Sequence, residues 1–199
     1  PWLSVGATVL MLALYEARLT WLQRHHPQRL ARSVHAGLRE QWFEAISQHP
    51  GTEVLAVQTL RNSLMSATMV ASTAAIGLVG SATLATPSLH QLLDSGGLPA
   101  ATPRLALELV LLALLFASMM ASAMAVRYFN HAGFIASMPV GSAARAHWSA
   151  AAVAYLRRAG LLYGWGLRQL LLIAPILAAI VHPLAGPPVT LIVVAVLVA

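Results

Sequence analysis

Residues 103–135 read PRLALELVLLALLFASMMASAMAVRYFNHAGFI. From Leu105 to Val126 the only ionisable side chain is Glu108, and an Arg stands beyond each end, at 104 and 127. An apolar run of this length marks a membrane-spanning helix. More than thirty helical residues at about 1.5 Å rise give about 46 Å or more, against a bilayer apolar thickness of roughly 30 Å. The far end, Arg127 to Phe134, is therefore expected to protrude or tilt, and Met138-Pro139-Val140-Gly141 to break the helix.

The same alternation of apolar run and basic flank holds on both sides of this stretch. Further spans are expected over about 2–21, 60–84 and 161–181, with an incomplete fifth over 189–199. Trp2 and Trp21 bracket the first, as aromatic residues prefer the headgroup level. Residues 85–102, with Pro, Ser and adjacent glycines, read as an external loop, and His182-Pro183 with Gly186-Pro187-Pro188 as a short outer turn. Pro175 is expected to kink the fourth span and free a backbone carbonyl. The chain opens at Pro1 and stops inside an apolar run, so both ends are expected to be trimmed. The whole, 1–199, reads as a single all-α membrane domain.

Charge sets the orientation. All twelve basic Lys/Arg positions are arginines, and only Arg104 falls on the outer side of this topology. Basic loops stay in the cytoplasm, which places the N-terminus outside and the protein in a plasma membrane, expected to be a bacterial inner membrane. The composition agrees, since 58% of the 199 residues are apolar and 9% charged, too few polar side chains to cover a water-facing surface. The net charge of +6 comes from arginines that flank apolar segments instead of forming a run, which favours anionic lipid headgroups over nucleic acid as the partner.

Residues 28–48 depart from the spanning pattern. Leu30, Val34, Leu38, Trp42 and Ile46 recur every four residues among Arg29, Arg32, Arg39 and Glu40, which predicts an amphipathic helix on the inner interface. In the second span Asn62, Ser66, Thr73, Gly77 and Gly80 share a face of small and hydroxyl side chains, suited to close packing against protein in lipid.

Catalytic and cofactor chemistry find few parts. Without cysteine there are no disulfides, thiolate metal sites or Cys nucleophiles. The single Asp, Asp94, falls in the expected outer loop, so no Ser-His-Asp arrangement offers itself. The eight histidines lie toward the two ends of the spans, none near a centre where haem would need paired axial ligands, and no HxxxH or HExxH spacing occurs. No catalytic residue, metal or cofactor is expected. The sharper candidate is a polar cluster at the inner ends of spans two to four, Arg61, Arg127 with Asn130, and Arg168, whose guanidinium forks would match phosphate or carboxylate oxygens.

Several stretches, in order, resemble the family called domain of unknown function 599, small multi-pass proteins of bacteria and plants. They are Tyr15, the run from Leu38 to Ile46, Ala71-Ser72-Thr73 within Ala71–Gly77, Arg127 with Asn130 and Pro139, Gly166-Leu167-Arg168, and His182-Pro183. Met69-Val70 stand where that family tends to carry paired Phe, and Gly164 where it often carries Asn. The resemblance implies a multi-pass helical fold and assigns no activity. The expected role is a non-catalytic accessory or scaffold subunit of a larger membrane complex. The alternatives are a small anion transporter or channel and a haem- or metal-binding electron-transfer subunit.

Overall fold

The computed structural model describes residues 2–25, 31–94 and 102–198. The expected loop residues 95–101, Arg29 and Leu30 of the surface stripe, and Ala199 lie outside the described residues. All regular elements among those described are helical: α1 (Trp2–His25), α2 (Ala31–Ile46), α3 (Glu53–Asp94), α4 (Pro103–Ala136), α5 (Ala143–Leu171), α6 (Ile173–Val181), a 3-10 turn (Pro183–Ala185) and α7 (Gly186–Val198). Four stretches are long and apolar enough to cross a membrane, Trp2–His25, Glu53–Gln91, Pro103–Ala136 and Ala143–Val181. The fold is an all-α bundle. The fifth apolar helix, α7, has 13 residues, about 20 Å at 1.5 Å each, short of a crossing.

Three boundaries differ from the sequence reading, each for a local reason. Helix α3 starts at Glu53 and ends at Asp94, running through Pro87. Gly51 takes φ 90° in the preceding turn, and the Thr52 hydroxyl lies 2.7 Å from the Ile46 and His49 carbonyl oxygens, fixing the start. A proline removes one helical hydrogen bond and leaves φ helical. Here the Thr83 and Thr86 hydroxyls donate back to the Val79 and Ala82 carbonyls in the same turns. The segment 85–94, read as loop, is therefore helix. Second, Gly186-Pro187-Pro188 opens α7 instead of forming a turn, because prolines in a first helical turn have no N–H to satisfy. Third, the fourth span is two helices: α5 ends at Leu171, four residues before Pro175, where the proline cannot supply the N–H that the Leu171 carbonyl would accept.

Within the single membrane domain expected from the length, contacts gather into two compact units. The first comprises Pro1–Trp21, Ser72–Met119 and Leu167–Ala199. Its core is made of long aliphatic side chains: Val5 and Leu12 of α1, Leu107, Leu111 and Leu115 of α4, and Leu172 and Ile176 from the α5–α6 junction. Gly186 sits where an added Cβ would meet the Thr8 hydroxyl and come within 2.8 Å of the Ala179 Cβ, so α7 meets α1 at a point with no room for a side chain. The second unit comprises Leu22–Ala71 and Met120–Gly166. Alanines from α3, α4 and α5 (Ala56, Ala67, Ala125, Ala132, Ala152, Ala159) recur through its core around Phe43 and Phe129. Small residues let helices approach closely where lipid supplies no hydrophobic force.

Helix α2 does not bury the stripe that its four-residue period marks. Ala36, Phe43 and Ile46 are buried in the second unit, Trp42 is partly buried, and Val34 and Leu38 are exposed. The helix thus has one apolar face against protein and another without a partner among the described residues.

Candidate functional site

The second unit is organised around two arginines. Arg145 begins α5, where its backbone N–H donates to the Ser142 hydroxyl oxygen at 3.2 Å in an N-cap. Its side chain is 3% exposed. Nη1 donates to the Ala136 carbonyl at 3.0 Å and the Met138 carbonyl at 2.7 Å, and Nη2 to the Ser47 hydroxyl at 3.2 Å. The Phe43 ring centre lies 5.8 Å from the guanidinium carbon. The last carbonyls of a helix lack intrahelical donors, so Arg145 satisfies the end of α4 while tying it to the end of α2. Glu53 completes this corner, its Oε1 accepting from the Val140 N–H at 2.8 Å. These are the groups that hold the Met138-Pro139-Val140-Gly141 turn.

Arg39 on α2 is the second. Its guanidinium lies over Gly160 of α5, where an added Cβ would overlap it. Desolvation by burial lowers its pKa from the ordinary arginine value, which leaves it charged at neutral pH. Its one hydrogen bond within the described residues is Nη1 to the His35 carbonyl at 3.5 Å, at the outer limit. The nearby carboxylate, Glu40, faces Arg157 at 3.8 Å. Beside Arg39 is a half-open cavity of about 290 Å³, lined by Leu38, Trp42, Leu60, Phe129 and Leu156 with the Thr59 and Ser63 hydroxyls.

The expected four-residue polar cluster is only partly assembled. Arg61 and Asn130, both exposed, line one groove of about 420 Å³ with Phe129, Phe134 and Ser137. Arg127 is exposed and does not line it. Arg168 belongs to the first unit, where its Nε donates to Glu16 Oε1 of α1 at 3.2 Å, and Gln169 Nε2 donates to the same oxygen at 3.0 Å. The sequence grouped these arginines because they share the inner ends of their spans, a statement about depth. Which way each side chain points around its helix was set by a partner, and for Arg168 the partner was Glu16.

At the other end of the first unit, Arg104 Nε donates to Glu108 Oε1 at 3.0 Å, the expected i,i+4 pair. The two differ sharply in exposure, 69% for the Arg104 side chain and 7% for Glu108, whose Oε2 is buried without a hydrogen-bond partner among the described residues. On α3 the face expected to pack, Ser66, Thr73 and Gly80, is exposed, and an added Cβ at Gly77 would touch Leu115. Among the described residues no three His, Asp or Glu side chains gather as metal ligands.

Arg145 and the Arg39–Gly160 contact were not singled out in the sequence. A signal existed for each: Ser142 three residues before Arg145 just past a helix-breaking turn, and a glycine inside a helix at 160, which costs about 1 kcal/mol relative to Ala and so often marks a close approach. No curated protein and no solved structure matches the chain. One family model does, described as "Protein of unknown function, DUF599", over residues 3–199. With that match over essentially its whole length, the chain belongs to the DUF599 family.

Proposed function

We propose that this protein is a non-catalytic subunit of a bacterial inner-membrane assembly, joined to another membrane protein through one flank of α3, with its N-terminus outside. The observation that carries this is the incomplete covering of α3. Over its most apolar window 17% of residues are buried, against 33% in Pro103–Ala136 and in Ala143–Val181. The buried positions Ala56, Leu60, Ala67 and Ala74 form one face. The stripe of Asn62, Ser66, Thr73 and Gly80 is centred about 120° away at 100° per residue. The Ser66 hydroxyl is satisfied by the Asn62 carbonyl at 3.1 Å, so it can sit in an apolar helix–helix interface without an unmet polar group. Small side chains allow the close approach that drives association in lipid, whereas the outermost face, opposite the buried one, carries the bulkier Met65, Met69 and Ile76, suited to acyl chains.

The absence of cysteine in the chain makes the test direct. Single cysteines at Ser66 and Thr73, treated with a bifunctional thiol reagent in native membranes, are expected to give adducts of higher mass, and a cysteine at Ile76 none. Equal adduct yields from both faces, or none from either, would count against the proposal. A second reading, an anion transporter or channel, draws on the groove shared by Arg61 and Asn130. Uptake of an anion by proteoliposomes, lost in Arg61→Gln, would favour it.

A further inference from the structure

The geometry points to a specific site for an anionic phospholipid in the second unit, with the lipid phosphate on Arg39 and a length of acyl chain in the cavity between α2, α3 and α5. A guanidinium carries five N–H donors in a planar fork. In Arg39 one of them reaches a carbonyl at 3.5 Å, and no carboxylate among the described residues pairs with the group. A half-buried cation is costly without a counter-charge, and a phosphate oxygen pair matches the fork.

The space beside it has the opposite chemistry. Trp42, Leu60, Phe129 and Leu156 supply apolar walls to about 290 Å³, near the lower end of small-ligand pockets, roughly 300–1,000 Å³. The two hydroxyls there already donate to backbone, Thr59 to the Leu55 carbonyl at 3.0 Å and Ser63 to the Thr59 carbonyl at 3.3 Å. Among the described residues Arg39 is then the one charged group lining the cavity, able to orient an acidic head, and the walls suit a hydrocarbon tail. Exposed Leu38, at the rim, continues the apolar surface outward. An anion on an alkyl chain satisfies both halves, and the bilayer of a membrane protein supplies it.

Gly160 holds the site in shape. A methyl there would fall on the guanidinium, the far end of a flexible side chain. Gly160→Ala should therefore displace the charge from the cavity with little effect on the helices.

Native mass spectrometry of the detergent-purified full chain, with phosphatidylglycerol or phosphatidylcholine added, tests this. One phosphatidylglycerol should be retained at least about tenfold more tightly than phosphatidylcholine, as a charge-assisted contact implies. Arg39→Gln should weaken phosphatidylglycerol at least tenfold, and Arg18→Gln, which removes the same charge from exposed α1 surface, should leave it unchanged. Thr59→Trp, at an exposed rim position, should also expel the lipid with Arg39 intact, and carries the test alone should Arg39→Gln fail to fold. Equal retention of the two lipids, equal loss in Arg39→Gln and Arg18→Gln, or undiminished retention in Thr59→Trp would overturn the site. Displacement of the lipid by inorganic phosphate at comparable concentration would overturn its assignment to a bilayer lipid.

Discussion

Replacing Arg145 with Met should unfasten the corner that joins α2, α4 and α5. The substitution keeps an unbranched side chain in the same space and removes the three hydrogen bonds to Ala136, Met138 and Ser47. Each acceptor left without that donor costs about 1–3 kcal/mol if it stays buried. The mutant also recovers the penalty of burying a guanidinium, including an Nε that has no partner, so the sum is not realised in full. Loss of one member of a buried charged network costs about 3–5 kcal/mol, and the lower figure, about 3 kcal/mol, is expected here. For a chain of this size that corresponds to a fall in melting temperature of about 6–12 °C. The assay is thermal loss of helical circular dichroism in a fixed detergent. Arg145→Lys, which keeps the charge and loses the fork, should recover part of the fall. Ser47→Ala should lose part of its own effect in the Arg145→Met background, because the two share one bond. An Arg145→Met protein melting within 2 °C of the parent would refute the reasoning (roughly 1 kcal/mol or less).

Four further outcomes follow from other contacts. Gly186→Val should destabilise the first unit by about 1–3 kcal/mol through overpacking against Thr8 and Ala179, with Thr8→Ala partly restoring it in the same melting assay. At the Arg104–Glu108 pair the two ends should behave oppositely. Arg104→Ala strands a buried carboxylate and costs about 1–3 kcal/mol, while Glu108→Gln should be neutral or stabilising; equal losses would refute the assignment. A double-mutant cycle between Glu16→Gln and Arg168→Gln should give a coupling of about 0.5–1.5 kcal/mol, modest because Glu16 is partly exposed; a coupling near zero would argue that the pair does not form. Finally, single cysteines replacing the exposed His147 and His90 should be labelled from opposite faces of the membrane by an impermeant thiol reagent, and labelling from one face would refute the orientation read from the arginines.

Depth and length were legible in the sequence; direction around a helix was not. Long apolar runs with Arg at their ends place α1, α3, α4 and the α5–α6 pair with little ambiguity, and Pro175 marks the break between α5 and α6. In α2 the apolar stripe did not separate lipid-facing from protein-facing positions, because lipid and protein cores both accept Val and Leu. Val34 and Leu38 fit the period yet stay exposed, while the small Ala36 is buried. Pro87 and its neighbours read as loop because proline usually interrupts a helix, whereas here it removes a single backbone bond and keeps a helical φ. Among the arginines, Arg61 shares a groove with Asn130 in the second unit, and Arg168 pairs with Glu16 in the first. A shared level in the membrane says nothing about which neighbour a side chain turns toward, and Glu16 lies 152 positions away in the chain. The contact of Arg39 with Gly160 escaped because a missing side chain leaves almost no trace in a hydrophobic pattern.

The order in which the two cores become available during synthesis is fixed by where their pieces lie in the chain. Everything the alanine-rich core needs has been translated by residue 166, whereas the leucine-rich one draws on residues as late as Val193, Val194 and Leu197. Helix α1 is translated long before Gly186, so the Thr8 contact can close only once α7 has followed. A chain cut off after residue 180 would carry every piece of one half and lack those that complete the other.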